Sequence, residues 1–407
     1  MADCRSPFEV RIFNRISARL LACGLIRDPL EEGSILAAAE TKECPVALRR
    51  LLASCREEAG LHPLGRWLMG RRLVEILAGR RNLEKEQHRH PERFAAPLRR
   101  PLFITGLPRT GTTLLYNLLA QDPAARPLEM REAVWPAFPS PAGGPRAAWQ
   151  TGKARLLVRG LYRMAPELQA IHPLHADGPE EDLTLMLHTL TSIGFLMLVR
   201  APGYEQWLRA LTREDRIAVY RDYERRLKFL PPPAHGKRWI LKSPIHLASL
   251  DSLLHVFPDA CIVQTHRDPV RVIPSFCSLI AAVRGISADR VDRRELGPWA
   301  LEACGEMLAR GEAARAENPD RILDVGYDQL VQDPRRTVRQ VYDYFGFTFS
   351  GEMERQMDRW LLRDRQRKKP AHRYGLQPFG LGREEVETKF GAYRRRYGIS
   401  GEQENRN

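Results

Sequence analysis

Residues suited to chemistry gather at two places in this chain. The first is Gly106-Leu-Pro-Arg109-Thr110-Gly111-Thr112-Thr113, which follows a short apolar run and opens a helical pattern. At such a junction backbone N–H groups and the helix dipole converge on an anion. Gly106 and Gly111 permit the tight backbone path, Arg109 adds a cation, and the threonines add hydroxyl donors. The second is Cys261-Ile-Val-Gln-Thr-His-Arg267-Asp-Pro-Val-Arg-Val-Ile-Pro-Ser275, where a strand delivers Arg267 at its end and a helix carries Ser275. A guanidinium fork matches phosphate geometry and keeps its charge. Ligands of parallel α/β sheets bind beyond the C-terminal strand ends, so Arg109 and Arg267 are expected to point into one cavity there. Each motif alone also reads blandly, as a turn needing two glycines and as a surface Arg paired with Asp268.

The first loop has the outline of a Walker A phosphate loop without its content. The lysine expected after the second glycine is Thr112, and the cation sits inside the loop as Arg109. No convincing Walker B acid is present either. Kinase or ATPase chemistry is therefore disfavoured, and an oxyanion handled without γ-phosphate or Mg²⁺ fits better.

These residues need a scaffold, and the apolar pattern supplies one. Runs at 101–105, 238–241, 260–265 and 321–325 read as buried strands, and helical patterns at 112–123, 247–257 and 270–283 follow the first three. This alternation predicts an α/β fold, a three-layer sandwich with a mostly parallel central sheet of the P-loop NTPase-like kind. Residues 1–97 read as an N-terminal helical segment packing on the core, with the charged stretch 80–93 as a solvated helix end and linker. Residues 98–350 form the α/β domain, and 351–407 a helical, basic C-terminal extension of it. The Pro- and Gly-rich stretch 124–144 reads as one long loop, which in a compact domain usually serves binding.

Composition narrows less. The 407 residues carry a formal charge of +14, which attracts polyanions in general. The basic residues are dispersed rather than interleaved with aromatics, so no nucleic-acid partner is expected. Seven cysteines, odd in number and never spaced as CxxC, predict a reduced chain without a cysteine metal site. His172 and His175 lack a third partner for zinc and are candidates for a substrate pocket. The N-terminus has no signal-peptide core, and apolar stretches such as 193–199 are too short to span a bilayer. A soluble, cytoplasmic protein is the expectation.

With both motifs in order, the sequence resembles the sulfotransferases that use 3′-phosphoadenosine 5′-phosphosulfate (PAPS), closest to the bacterial "family 3" type. The resemblance runs from about 101 to 397 and includes Lys242-Ser-Pro-Ile-His246, Pro179-Glu-Glu-Asp182, Tyr327-Asp-Gln-Leu and His372-Arg-Tyr374. It implies that Arg109, Thr110, Gly111, Thr112 and Thr113 bind the 5′-phosphosulfate and that Arg267 and Ser275 hold the 3′-phosphate. It also implies that Tyr327 lies against the nucleotide, although an aromatic under a strand end is an equal reading. PAPS would be the donor substrate, with no metal, and the acceptor an unidentified hydroxyl. The tryptophan that steroid- and phenol-type members place after the loop threonines is Leu114 here, so adenine must stack elsewhere.

Sulfuryl transfer needs an in-line oxygen, a base for its proton, and cations around the departing phosphate. Three bases are open, Glu132 first, then His246, then Glu129 a short register shift away. Lys242 is assigned as a cation on the bridging oxygen or 5′-phosphate, against a plain salt bridge with a neighbouring acid. His266 is an orienting residue or strand-end core, and Glu180 and Glu181 read as helix-start caps. The basic stretch 363–369 is a solvated face or a cover over the 3′-phosphate. The acceptor pocket is expected from 1–97, 124–180 and 284–300. Rival readings are a nucleotide-dependent phosphotransferase and a nucleotide-binding protein without catalysis.

Overall fold

A computed structural model describes residues 7–23, 27–136, 145–232, 237–366 and 374–399. Five parallel strands form one sheet in the order β2-β3-β1-β4-β5, with β1 Leu102–Gly106, β2 Ala125–Pro127, β3 Arg238–Lys242, β4 Cys261–His266 and β5 Ile322–Gly326. Every residue of β1 and β4 is buried. Central strands covered on both faces need apolar side chains at every position, which explains the unbroken runs in the sequence.

Alternate residues of β1 feed the two faces. Leu102 and Ile104 pack with Leu115, Leu118, Val338 and Val341 on one side. Phe103 packs with Tyr220, Leu227 and Leu253 on the other. The result is the expected helix–sheet–helix sandwich. Gly106 ends β1 opposite Thr265 of β4, and its φ of +136° with Thr265 O only 2.5 Å from where a Cβ would sit requires glycine.

Two expectations need correction. The stretch 124–144 is not one loop: it holds edge strand β2, then a helix at Met130–Val134, while 137–144 lie outside the described residues. A three-residue strand ending in proline leaves almost no apolar signal, and an edge is where a proline is tolerated. The stretch 80–93 is a helix end, as expected, but not a linker. Helix Pro63–Arg89 covers it to 89 and a short helix, Pro91–Ala95, follows, with Leu83 buried against Phe94 and Phe229 to anchor the last turns.

The N-terminal helices form a core of their own. Leu48, Leu51, Leu73 and Ile76 pack against Leu187, Phe195, Leu196 and Leu208. That contact matters because Leu196 and Leu208 also line the site.

Candidate active site

The C-terminal ends of β1, β4 and β5 open into one cleft that is partly open to solvent. Arg109, Gly111, Thr112, Thr113, Arg267 and Tyr327 line its polar end. Arg109 and Arg267 thus share a cavity, as their positions at strand ends require. Arg109 holds a left-handed φ of +69°, a strained choice for a side-chain-bearing residue that costs on the order of 1 kcal/mol or more. Its Nε donates to Ser275 Oγ at 3.1 Å, and Arg267 Nη1 donates to the Arg109 carbonyl at 3.4 Å. The two motifs are thereby bound to each other. The Arg267 guanidinium lies 3.8 Å from the centre of the Tyr327 ring, and the same ring would meet a Cβ on Gly111 at 3.0 Å.

Behind Arg267, the preceding residue is held by a partly buried network. His266 Nε2 lies 2.8 Å from Asp324 Oδ1, and His266 Nδ1 lies 3.1 Å from the Tyr393 hydroxyl. Its ring stacks on Tyr397 at 3.8 Å. The last helices of the chain therefore set the strand end that carries Arg267.

Beside the threonines the cleft turns from cationic to mixed. Lys242, almost fully buried and not itself among the lining residues, stands behind them, where it pairs with Glu181 and donates to Thr113 Oγ1 at 3.3 Å. Asp182 N donates to the Lys242 carbonyl at 3.2 Å, which pins the 179–182 segment to the end of β3. Glu181 and His172 both line the cleft. Burial pushes the His172 imidazole down to about 4, with help from Lys242, Arg109 and His175 and against the pull of Glu181. The ring is neutral at pH 7 and keeps a nitrogen lone pair. Burial would raise the Glu181 carboxyl, but Lys242 and His172 outweigh it and hold it below its usual range.

Residues 101–351 match the profile of the Sulfotransferase family. The chain belongs to the sulfotransferase family. Among curated relatives, omega-hydroxy-beta-dihydromenaquinone-9 sulfotransferase Stf3 of Mycobacterium tuberculosis (strain CDC 1551 / Oshkosh) is 27% identical over 266 residues. That match spans 60% of this chain and 62% of the relative. The crystal structure of sulfotransferase STF1 from Mycobacterium tuberculosis H37Rv superposes with a TM-score of 0.77 at 29% identity, covering 90% of this chain and 100% of that one. For sulfotransferase STF9 from Mycobacterium avium the TM-score is 0.80 at 26% identity, with 90% and 96% covered.

In this member of the sulfotransferase family, several expected site residues stand away from the cleft. Glu132 is buried, makes a two-pronged ion pair with Arg126 at 2.7 and 2.9 Å, and accepts from Glu129 N at 3.2 Å in a capping box. Glu129 is the N-cap of that box and pairs with Arg131. Neither carboxylate lines the cleft. His246 is fully buried between the Tyr220 hydroxyl and Asp182 Oδ2, each 2.9 Å away, while Tyr223 donates to the same Asp182 oxygen at 2.6 Å. Its neighbours Pro244, Ile245 and Ala248 reach the cleft instead. Thr110 is also buried, 2.5 Å from Thr265 Oγ1, and tethers the loop to β4. Ser275 is buried behind Arg109. Leu114 packs partly buried on the core. Lys368, Lys369 and His372 lie outside the described residues.

The acceptor side also differs from expectation. Among the described residues, His172 and Trp299 are the contributions of 124–180 and 284–300, and 1–97 supplies no lining residue. The walls come from 181–209 and from helices Pro269–Arg284 and Arg293–Glu317, as Leu183, Leu196, Met197, Phe276, Leu279 and Met307. Glu180 and Glu181 precede their helix, Leu183–Met186, rather than cap it.

Glu180 yields a stability test. Burial first, then Glu181, pushes its carboxyl up to about 7, against the opposing pull of Lys242. The folded value exceeds the ordinary one, so protonation favours the fold. That contribution is complete below about 4.5 and is lost as pH rises through about 7. Glu180→Gln is expected to match wild type near pH 5 and to be more stable by about 1–2 kcal/mol near pH 8. Denaturant melts at the two pH values read this directly; a constant difference between them would reject the assignment.

Proposed function

We propose that this protein transfers the sulfuryl group of PAPS to the hydroxyl of an apolar acceptor. One observation carries the reading: two arginines from separate strand ends share a cleft with a large apolar wall of Leu183, Leu196, Met197, Phe276, Leu279 and Met307, which Glu205, Arg209, Glu306 and Arg310 also line. The fit to the donor rests on the loop itself. Arg109, Thr112 and Thr113 stand at a helix N-terminus behind a left-handed turn, suited to the 5′-phosphosulfate. Arg267, with Tyr327 under its guanidinium, suits the 3′-phosphate. Ser275 acts by orienting Arg109.

The donor supplies the sulfuryl group, and the chain supplies orientation, charge and a base. Lys242, held by Thr113 and Glu181, offers an ammonium to the negative charge that grows on the departing oxygen. His172, neutral and in the cleft, takes the acceptor proton. Anionic donor beside Arg109 and Lys242 offsets the field that depresses this ring, so binding makes it a better base. Glu181 stabilises the imidazolium that results. The apolar walls hold the acceptor and keep water from competing.

Thermal shift separates this reading from its rivals. The melting temperature is expected to rise with 3′-phosphoadenosine 5′-phosphate and to stay fixed with ATP–Mg²⁺. A rise with ATP–Mg²⁺ alone would favour a phosphotransferase and sink the proposal.

A further inference from the structure

The N-terminal helix Phe8–Ala22 divides its apolar residues between two faces, with Val10, Leu20 and Leu21 partly buried and others outside. Asn14 and Ser17 face the protein, and Asn14 Oδ1 accepts from Leu64 N at 2.9 Å. Ile12, Phe13 and Ile16 point to solvent, 43%, 43% and 54% exposed. Arg11, Arg15 and Arg19 recur every four residues and are exposed beside them.

A second helix, Pro145–Met164, repeats the combination. Trp149 and Leu156 are 63% and 67% exposed, the Lys153 ammonium lies over the Trp149 ring, and Arg155 and Arg159 are exposed nearby. The Arg163–Glu9 ion pair, 2.6 Å, joins the last turn of this helix to the first turn of the other. The preceding residue, Tyr162, packs on the cluster of Ala165, Leu168, Ile171 and Leu279, and Leu279 walls the apolar part of the cleft.

From this we infer that the two helices dock the protein on an anionic lipid surface. Exposed aliphatic and aromatic side chains set among arginines are what an interfacial helix presents to headgroups and acyl chains. Charge complementarity favours that occupant over a second copy of the chain, because two such faces would oppose their own arginines. The patch continues through Tyr162 to the cleft wall, so a docked protein receives an apolar acceptor without passing it through water. No helix among the described residues is long and apolar enough to cross a membrane, so the contact is peripheral.

The test uses the full chain and sedimentation with vesicles of phosphatidylcholine, with or without phosphatidylglycerol. Binding is expected only with phosphatidylglycerol and should weaken as salt is raised. Phe13→Ser with Ile16→Ser, all at exposed positions, should abolish it. Arg15→Glu with Arg19→Glu should weaken it by at least about fivefold per arginine. Transfer to a water-soluble alcohol should be unchanged in every variant, which shows that the fold and the cleft survive. Vesicle binding indifferent to these substitutions would overturn the inference. So would a wild-type dimer, seen by light scattering, that the Phe13→Ser and Ile16→Ser changes dissociate.

Discussion

Arg267→Ala is expected to weaken binding of 3′-phosphoadenosine 5′-phosphate by about thirtyfold to a thousandfold or more. That range corresponds to about 2–5 kcal/mol for removing one member of a desolvated charge pair. The residue is expected to grip a phosphate that does not react, so its interaction is made equally before and during transfer. Turnover at saturating donor should therefore change little, while the donor KM rises. Arg267→Lys keeps the charge but loses the fork and the flat contact with Tyr327, and should fall between the two. Calorimetric titration of the three proteins gives the ranking. Equal affinities would remove Arg267 from the donor site.

The base gives the second large effect. His172→Ala is expected to lower turnover about a hundred- to ten-thousandfold with donor affinity preserved. The pH profile adds a readout that a structural role would not move. A base that is neutral in the free protein down to about 4 keeps kcat/KM flat through neutrality and loses it toward that value as the ring takes a proton, while the limb in kcat, read with donor bound, lies higher. Removal of His172 should abolish this acid limb. Glu132→Gln is the informative control, because it breaks a buried ion pair with Arg126 without touching the cleft. It should cost about 3 kcal/mol of stability and leave turnover per folded molecule near normal. A Glu132→Gln protein that folds well and does not turn over would return the carboxylate to the role of base.

The fold was legible where the chemistry of burial is unambiguous. β1, β3 and β4 are internal, and β5, though at an edge, still buries Ile322, Leu323 and Val325, so each leaves an apolar run ending at Gly, Lys, His or Gly. β2 left none, because three residues at an edge bury too little. Arg109 and Arg267 were legible for a similar reason: a cation at the end of a buried strand has few other purposes. The base was not. Glu132 looked like a polar loop residue, yet the Glu129–Glu132 spacing is that of an N-cap and its third helical residue, a signal readable in advance. His172 carries no local pattern. Its environment comes from Lys242 and Arg109, distant in sequence, and only folding brings them together. The acceptor walls were hidden more thoroughly, since Leu196, Phe276 and Leu279 have the composition of core, and a cleft wall and a core face read alike in sequence.

The most direct test is transfer of radiosulfur from labelled PAPS to a panel of hydroxyl acceptors, from water-soluble sugars to long-chain and polycyclic alcohols. Label is expected in the apolar alcohols, at a rate lost in His172→Ala and restored to Arg267→Ala by excess donor. Label that stays wholly in the donor across the panel, with the wild-type protein folded, would contradict the proposed activity.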